Sequence, residues 1–205
     1  MSRNLLAGAA LAVIALAGCS STPDDPAPQT LGYAAPARLR ICHGYGCEFR
    51  TSLDLGARDG ARFRAIMAPG KASPAAERKA ISRAVRYFED RAYQVTGVRD
   101  LPKAKLGASR IRGQMDCIDE ATNTRALLAY LAKRGLLRHH KVERNASRGN
   151  FIDGRYPHWT AVIRDPAGVT WAVDSWYAPM GGAPDIIPMS EWKPRGYLSS
   201  GALDS

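Results

Sequence analysis

HWTAVIR (His158–Arg164), DPAG (Asp165–Gly168) and VTWAVDS (Val169–Ser175) are two β-rich runs around a turn sequence. Asp-Pro-x-Gly favours a type I turn whose last residue takes positive φ, giving a three-residue loop with a glycine bulge. That loop pairs Asp165 with Val169 and sets Thr160 opposite Asp174. Side chains alternate along strands, so His158, Thr160, Val162, Ala172 and Asp174 share one face. His158 and Asp174 become diagonal neighbours about 7 Å apart at Cβ, within reach of a side-chain hydrogen bond. A two- or four-residue loop would put them on opposite faces. Trp159 and Trp171 fall on the other face and are expected to pack, whereas Trp176 falls on the His158 side and is expected to border a cleft.

Upstream of the hairpin the apolar spacing is helical. Ser73-Pro74 reads as a cap followed by a first-turn proline, then Ala80, Ile81, Ala84, Val85, Phe88 and Ala92 recur on one face until Gly97. Residues 98–113 read as a loop. A second helix starts at Asp116-Cys117, with Asp116 as cap, Asp119 and Glu120 in the first turn and Gly135 as the stop. Its expected buried stripe is Ile118, Ala121, Leu128, Leu131 and Ala132. A weaker strand pattern covers Arg138 to Ala146, and Tyr177 to Pro188 reads as an irregular loop. His139 and His140, near a helix end, are expected to be structural.

The N-terminus reads as a separate element. Arg3 precedes an apolar run from Leu5 to Ala17, about thirteen residues and short of a membrane span. The run ends in Leu16-Ala17-Gly18-Cys19, which resembles the lipobox of bacterial lipoproteins. The resemblance implies that residues 1–18 are a signal peptide and that Cys19 carries acyl chains such as palmitate. Ser20 follows the cysteine, which by the same analogy points to the outer membrane and a periplasm-facing domain. Residues 19–38, rich in Pro, Ala, Ser and Asp, read as a flexible tether, and 39–205 as a single domain. The net charge of +10 is scattered along the chain and reads as a solvated basic surface. No nucleic-acid recognition motif is present.

Four cysteines give a parity argument. With Cys19 lipidated, Cys42, Cys47 and Cys117 remain, an odd number in an oxidising compartment. Cys42 and Cys47, five residues apart across two glycines, are assigned to each other as a disulfide. A metal held by these two thiols and His43 is the rival, but it is an incomplete site. Cys117 is left as a free thiol at a helix start. The helix N-terminus lowers a thiol pKa, yet Asp116, Asp119 and Glu120 oppose it, so activation requires an imidazole partner.

A cysteine at a helix start, a histidine at a strand start and an aspartate on the next strand suit thiol acyl transfer. The thiolate attacks an acyl carbon, the imidazole moves the proton, and the carboxylate holds the ring. Asp116-Cys117-Ile118-Asp119-Glu120-Ala121, His158-Trp-Thr-Ala-Val and Trp171-Ala-Val-Asp174-Ser-Trp resemble the three motifs of the bacterial transglutaminase-like cysteine peptidases. The likeness covers roughly residues 110–192. It implies an α+β, papain-like fold in which the cysteine-bearing helix packs on an antiparallel sheet. Cys117 would be the nucleophile, His158 the base and Asp174 the orienting residue, with Gln114 a candidate oxyanion donor. The implied activity is cleavage or transfer of amide bonds in envelope peptides or proteins, without metal or other cofactor. An inactive scaffold serving as an envelope binding module is the alternative. A metal held by Cys117, His158 and Asp174 is a third.

Overall fold

The structure is a computed structural model and describes residues 32, 35–105, 107–149 and 157–195. The lipobox, Cys19 and most of the expected tether lie outside these residues. The chain starts with a hairpin of β1 (Ala37–His43) and β2 (Phe49–Leu55), followed by α1 (Ala57–Met67), a 3₁₀ turn (Ala68–Ala72) and the long α2 (Pro74–Thr96). After an irregular stretch comes α3 (Cys117–Lys133). Short β3 (Lys141–Val142) and β4 (Ala146–Arg148), then β5 (His158–Arg164), β6 (Thr170–Asp174), β7 (Asp185–Pro188) and α4 (Met189–Trp192) complete the order. The expected tether boundary is corrected: Ala37 and Arg38 already belong to β1, paired with Leu55 and Asp54. Arg134 at the end of α3 holds the preceding segment by donating to the carbonyls of Gly32 and Pro36.

The fold is α+β with an antiparallel five-stranded sheet. Its order is β3-β5-β6-β7, and β4 also pairs with β5. The turn chemistry sets the central register. Asp165 N–H donates to Val169 O and Gly168 N–H to Asp165 O, with Gly168 at φ +83°. Ala161 therefore faces Val173 and Val162 faces Ala172. Residues Ala161, Ile163 and Val173 enter the main core with the buried sides of α2 and α3. Val162 and Ala172 face the other way, onto Met189 and Trp192. Both faces are thus covered, and the sheet is held between helices and the C-terminal segment.

Capping explains where α2 and α3 begin. Ser73 Oγ accepts from Ala76 N–H ahead of Pro74, and Gly97 closes α2 at φ +74°. All six expected apolar positions of α2 are buried. Asp116 caps α3, its carboxylate accepting from Ile118 and Asp119, while Asp119 reaches back to the Asp116 amide. The expected stripe of α3 needs correction, because Ile118 and Ala132 are exposed. Polar residues take the inward angles instead. Asn123 exchanges hydrogen bonds with both backbone groups of Cys42, and Asp119 accepts from the amides of Tyr45 and Cys47. The first turns of α3 are covered by another backbone loop, which needs acceptors and donors rather than apolar surface.

Two other expectations are corrected. The Arg138–Ala146 strand is instead two short pieces, β3 and β4. The 177–188 loop ends in a real strand, β7, pairing Asp174 with Asp185. Its only apolar pair is Ile186-Ile187, too short to show a period.

Candidate functional site

Cys117, His158 and Asp174 sit where three elements end: the first residue of α3, the first of β5 and the last of β6. All three are buried. His158 Nε2 lies 2.7 Å from Asp174 Oδ2. The carboxylate accepts only, so Nε2 carries the proton and Nδ1 is the free base. His158 Nδ1 is buried without a hydrogen-bond partner among the described residues. Asp174 Oδ2 also accepts from Trp192 Nε1–H at 2.7 Å, and Oδ1 from the Trp176 amide at 3.3 Å. One carboxylate is therefore held from three directions while it orients the ring.

The thiol meets the same corner from the helix side. Cys117 Sγ accepts the backbone N–H of Trp159, the residue that follows His158. It packs with Trp176, Tyr177 and Ala104. Burial pushes the thiol up to about 12, and the carboxylates of Asp116 and Asp174 push the same way. The Trp159 amide and the cysteine's own amide oppose this and do not prevail. The resting side chain is a thiol at neutral pH. The imidazole is enclosed by aromatic rings, with Trp176 at 4.5 Å, Tyr177 at 5.5 Å and Trp192 at 5.6 Å between centroids.

Gln114 lies three residues before Cys117, in the stretch that leads into α3. Its carbonyl accepts from Gly44 N–H at 2.6 Å, and no hydrogen bond fixes its carboxamide among the described residues. Trp159, expected to pack, is 38% exposed. Trp171 is half-buried, under the Arg78 guanidinium at 3.6 Å and bonded to Asp165 Oδ2. Trp176 is buried and forms the wall of the histidine.

Cys42 and Cys47 form a disulfide, and Cys117 is free. The loop they close runs through positive φ at Gly44, Tyr45, Gly46 and Cys47. It docks on the α3 N-terminus through amides donated to Asp116 and Asp119. His43 is engaged elsewhere, Nε2 with Thr51 Oγ1 and Nδ1 with the Gly113 amide. Among the described residues, the metal-ligand atoms that lie within 4.8 Å of one another belong to Cys42, Cys47 and Asp119, not to Cys117, His158 and Asp174. The two sulfurs of that trio are already joined to each other.

Sequence reasoning missed Trp192, Arg148 and Glu120. Nothing in the sequence around Trp192 marks it as a donor to Asp174. Glu120 accepts from Ser175 Oγ, directly beside Asp174. The acidic first turn was visible, but its partner lies 55 residues away. Compared with protein-family models, with curated proteins and with solved structures, the chain gives no match.

Proposed function

We propose that this protein is a thiol acyl-transfer enzyme of the bacterial cell envelope, with Cys117 as nucleophile, His158 as base and Asp174 as orienting residue. The observation that carries the reading is the buried His158–Asp174 pair at 2.7 Å, its second nitrogen unpartnered, next to a free cysteine bonded to the adjoining amide. On this reading the fold is papain-like and related to the transglutaminase-like cysteine peptidases. The chain is lipid-anchored through Cys19 at the outer membrane, and the substrate is a peptide or protein amide in the periplasm.

The chemistry follows from the protonation states. The sulfur is protonated at rest, so attack couples to proton transfer. The thiol proton passes to His158 Nδ1 as the sulfur–carbon bond forms, and Asp174 stabilises the imidazolium through Nε2–H. The imidazolium then protonates the leaving amine as the carbon–nitrogen bond breaks, leaving a thioester. Water completes hydrolysis and an amine completes transamidation. The Cys117 amide, at the first position of α3, is a ready donor to the developing oxyanion.

Alkylation of Cys117 by iodoacetamide tests the reading without a known substrate. At pH 7 the folded protein should react faster than the same chain unfolded in urea. His158→Ala should remove that excess, about tenfold or more if the imidazole takes the proton. Equal rates in wild type, variant and unfolded chain overturn the proposal. They would favour the second reading, an inactive scaffold, which the raised thiol pKa supports.

A further inference from the structure

Arg148 is the last residue of β4, and strand pairing sets it opposite His158. Its side chain is buried, and nothing in the chemistry above uses it. Its guanidinium donates from Nη1 to the Trp192 carbonyl and from Nη2 to the Tyr177 hydroxyl. The same group stacks 4.5 Å from the centre of the Trp192 ring. Those two aromatics wall the imidazole, and Trp192 is the side chain that donates to Asp174 Oδ2.

We propose that Arg148 is the positioning residue of the Asp174–His158 pair, clamping Trp192 and Tyr177 so that the indole N–H and ring walls hold carboxylate and imidazole in register. The role rests on the functional reading above for its catalytic meaning, but not for its geometry. A burial this complete costs a cation its hydration unless something offsets it. Here burial still holds the guanidinium below its ordinary value, and the two accepting oxygens, the indole face and the Asp174 charge offset part of the cost. Arginine suits the place better than lysine. Its planar fork donates in two directions while one face stacks, whereas an ammonium offers a point charge.

The charge has a direction too. The ionisable groups around the pair are Cys117, Asp116 and Glu120 from the start of α3, Lys103 from the loop before it, 5.8 Å from the Tyr177 ring centre, Tyr177 from the loop after β6, and Arg148 from β4. Arg195, beyond α4, is tied to Asp185 at 2.9 Å. Of these, Arg148 is the cation on the strand facing the histidine. With the thiol held protonated, the acid limb of its reactivity reflects the base that takes its proton; a nearby positive charge opposes imidazolium formation, so its removal moves that limb to higher pH.

The experiment uses the full chain and two readouts. The first is the rate of Cys117 alkylation by iodoacetamide from pH 5 to 9. The second is the downfield proton resonance of His158 Nε2–H, a direct signature of its bond to Asp174. Arg148→Met should raise the acid midpoint by about one pH unit, a tenfold loss of rate below the midpoint, and should weaken or shift the resonance. Arg148→Lys should recover part of the midpoint shift, because the charge returns without the stack. Trp192→Phe, which removes the indole donor and part of the ring but keeps an aromatic face, serves if Arg148→Met does not fold, and should disturb the resonance in the same sense. A wild-type midpoint and an undisturbed resonance in Arg148→Met overturn the proposal. If that variant does not fold, wild-type behaviour in both Arg148→Lys and Trp192→Phe overturns it. If His158→Ala leaves alkylation unchanged but Arg148→Met still alters the resonance, the positioning role stands and the acyl-transfer reading falls.

Discussion

Two buried glutamates on adjacent helices have opposite fates. Glu77, in the first turn of α2, accepts from the backbone amides of Arg138, His139 and His140 and faces His140 Nδ1 at 2.8 Å. Burial alone would raise its pKa, but the His140 bond and the three amides outweigh it and hold the carboxyl below its ordinary range. Glu120, in the first turn of α3, receives one hydroxyl from Ser175 and faces two more acids, Glu89 and Asp100. Burial and those like charges push it well above its ordinary value. Donors aimed at a buried carboxyl, set against its burial and the like charges around it, decide whether it is an ionised staple or a protonated acid.

The pairing around Glu77 also explains His140. With Nδ1–H donating to the carboxylate, Nε2 accepts from Arg78 Nη1 at 3.3 Å. Arg78 then continues onto the face of Trp171. One glutamate thus fastens the chain after α3 to the start of α2 and, through Arg78, to β6. The acid cluster joins a different set. Glu89 accepts from Gly181 N–H, Asp100 from Met115 N–H at 2.8 Å, and Asp100 also bonds Glu120. That set ties α2, the loop before α3, α3 itself and the segment after Asp174 together beneath the candidate site.

The largest expected effect separates the two. Glu77→Ala strands three backbone amides and removes the partner of a buried imidazole, so it should cost about 3–5 kcal/mol in urea denaturation. Glu120→Gln keeps the shape, removes a titrating proton and should cost far less. Comparable losses would show that depth matters more than donor count.

The pH dependence sharpens the contrast. Burial first, with neighbouring acids adding, raises Asp100 to about 7 and Glu89 to about 8, above ordinary values of 3.8 and 4.5. Between those limits the folded chain keeps protons that the unfolded chain has released. Stability should therefore fall as pH rises from about 5 to 8. Glu77 has the opposite sign, because its contribution is present above 4.5 and is lost as pH falls through its lowered value. Urea midpoints measured at pH 5 and pH 8 check this. Glu120→Gln, by removing one member of the coupled set, should flatten the decline, and a slope equal to wild type would break the account.

What was legible in the sequence divides by range. The turn Asp165–Gly168, the Asp116 cap and the Ser73-Pro74 start are local, each decided by a few neighbouring residues, and each is found where the pattern put it. The His158–Asp174 bond follows from the same local turn, because register carries parity along two strands. Arg148 reaches Trp192 across 44 residues and Tyr177 across 29, Trp192 reaches Asp174 across 18 with no turn setting their register, and Glu77 meets His140 across 63. No spacing in the chain encodes these. Ile118 and Trp159, 40% and 38% exposed, depart from the pattern for a related reason: a face that is apolar by period still needs something to cover it.

The smallest effect concerns the joint between the acid cluster and the candidate site. Ser175 Oγ donates to Glu120 and also bonds Glu89, one residue after Asp174. The hydroxyl's one proton can serve either carboxylate, favouring its ionised form and partly offsetting burial. Ser175→Ala removes both, which should cost about 1 kcal/mol. It should also raise the two carboxyls further, extending the pH-linked decline in stability towards higher pH rather than steepening it at low pH. A decline that ends earlier than in wild type would mean that the hydroxyl destabilises the ionised forms, reversing the sign of its contribution. If Cys117 alkylation in Ser175→Ala also tracks the shifted stability curve, the acids below and the sulfur above belong to one cooperative unit, with the Asp174-Ser175 step as the hinge between them.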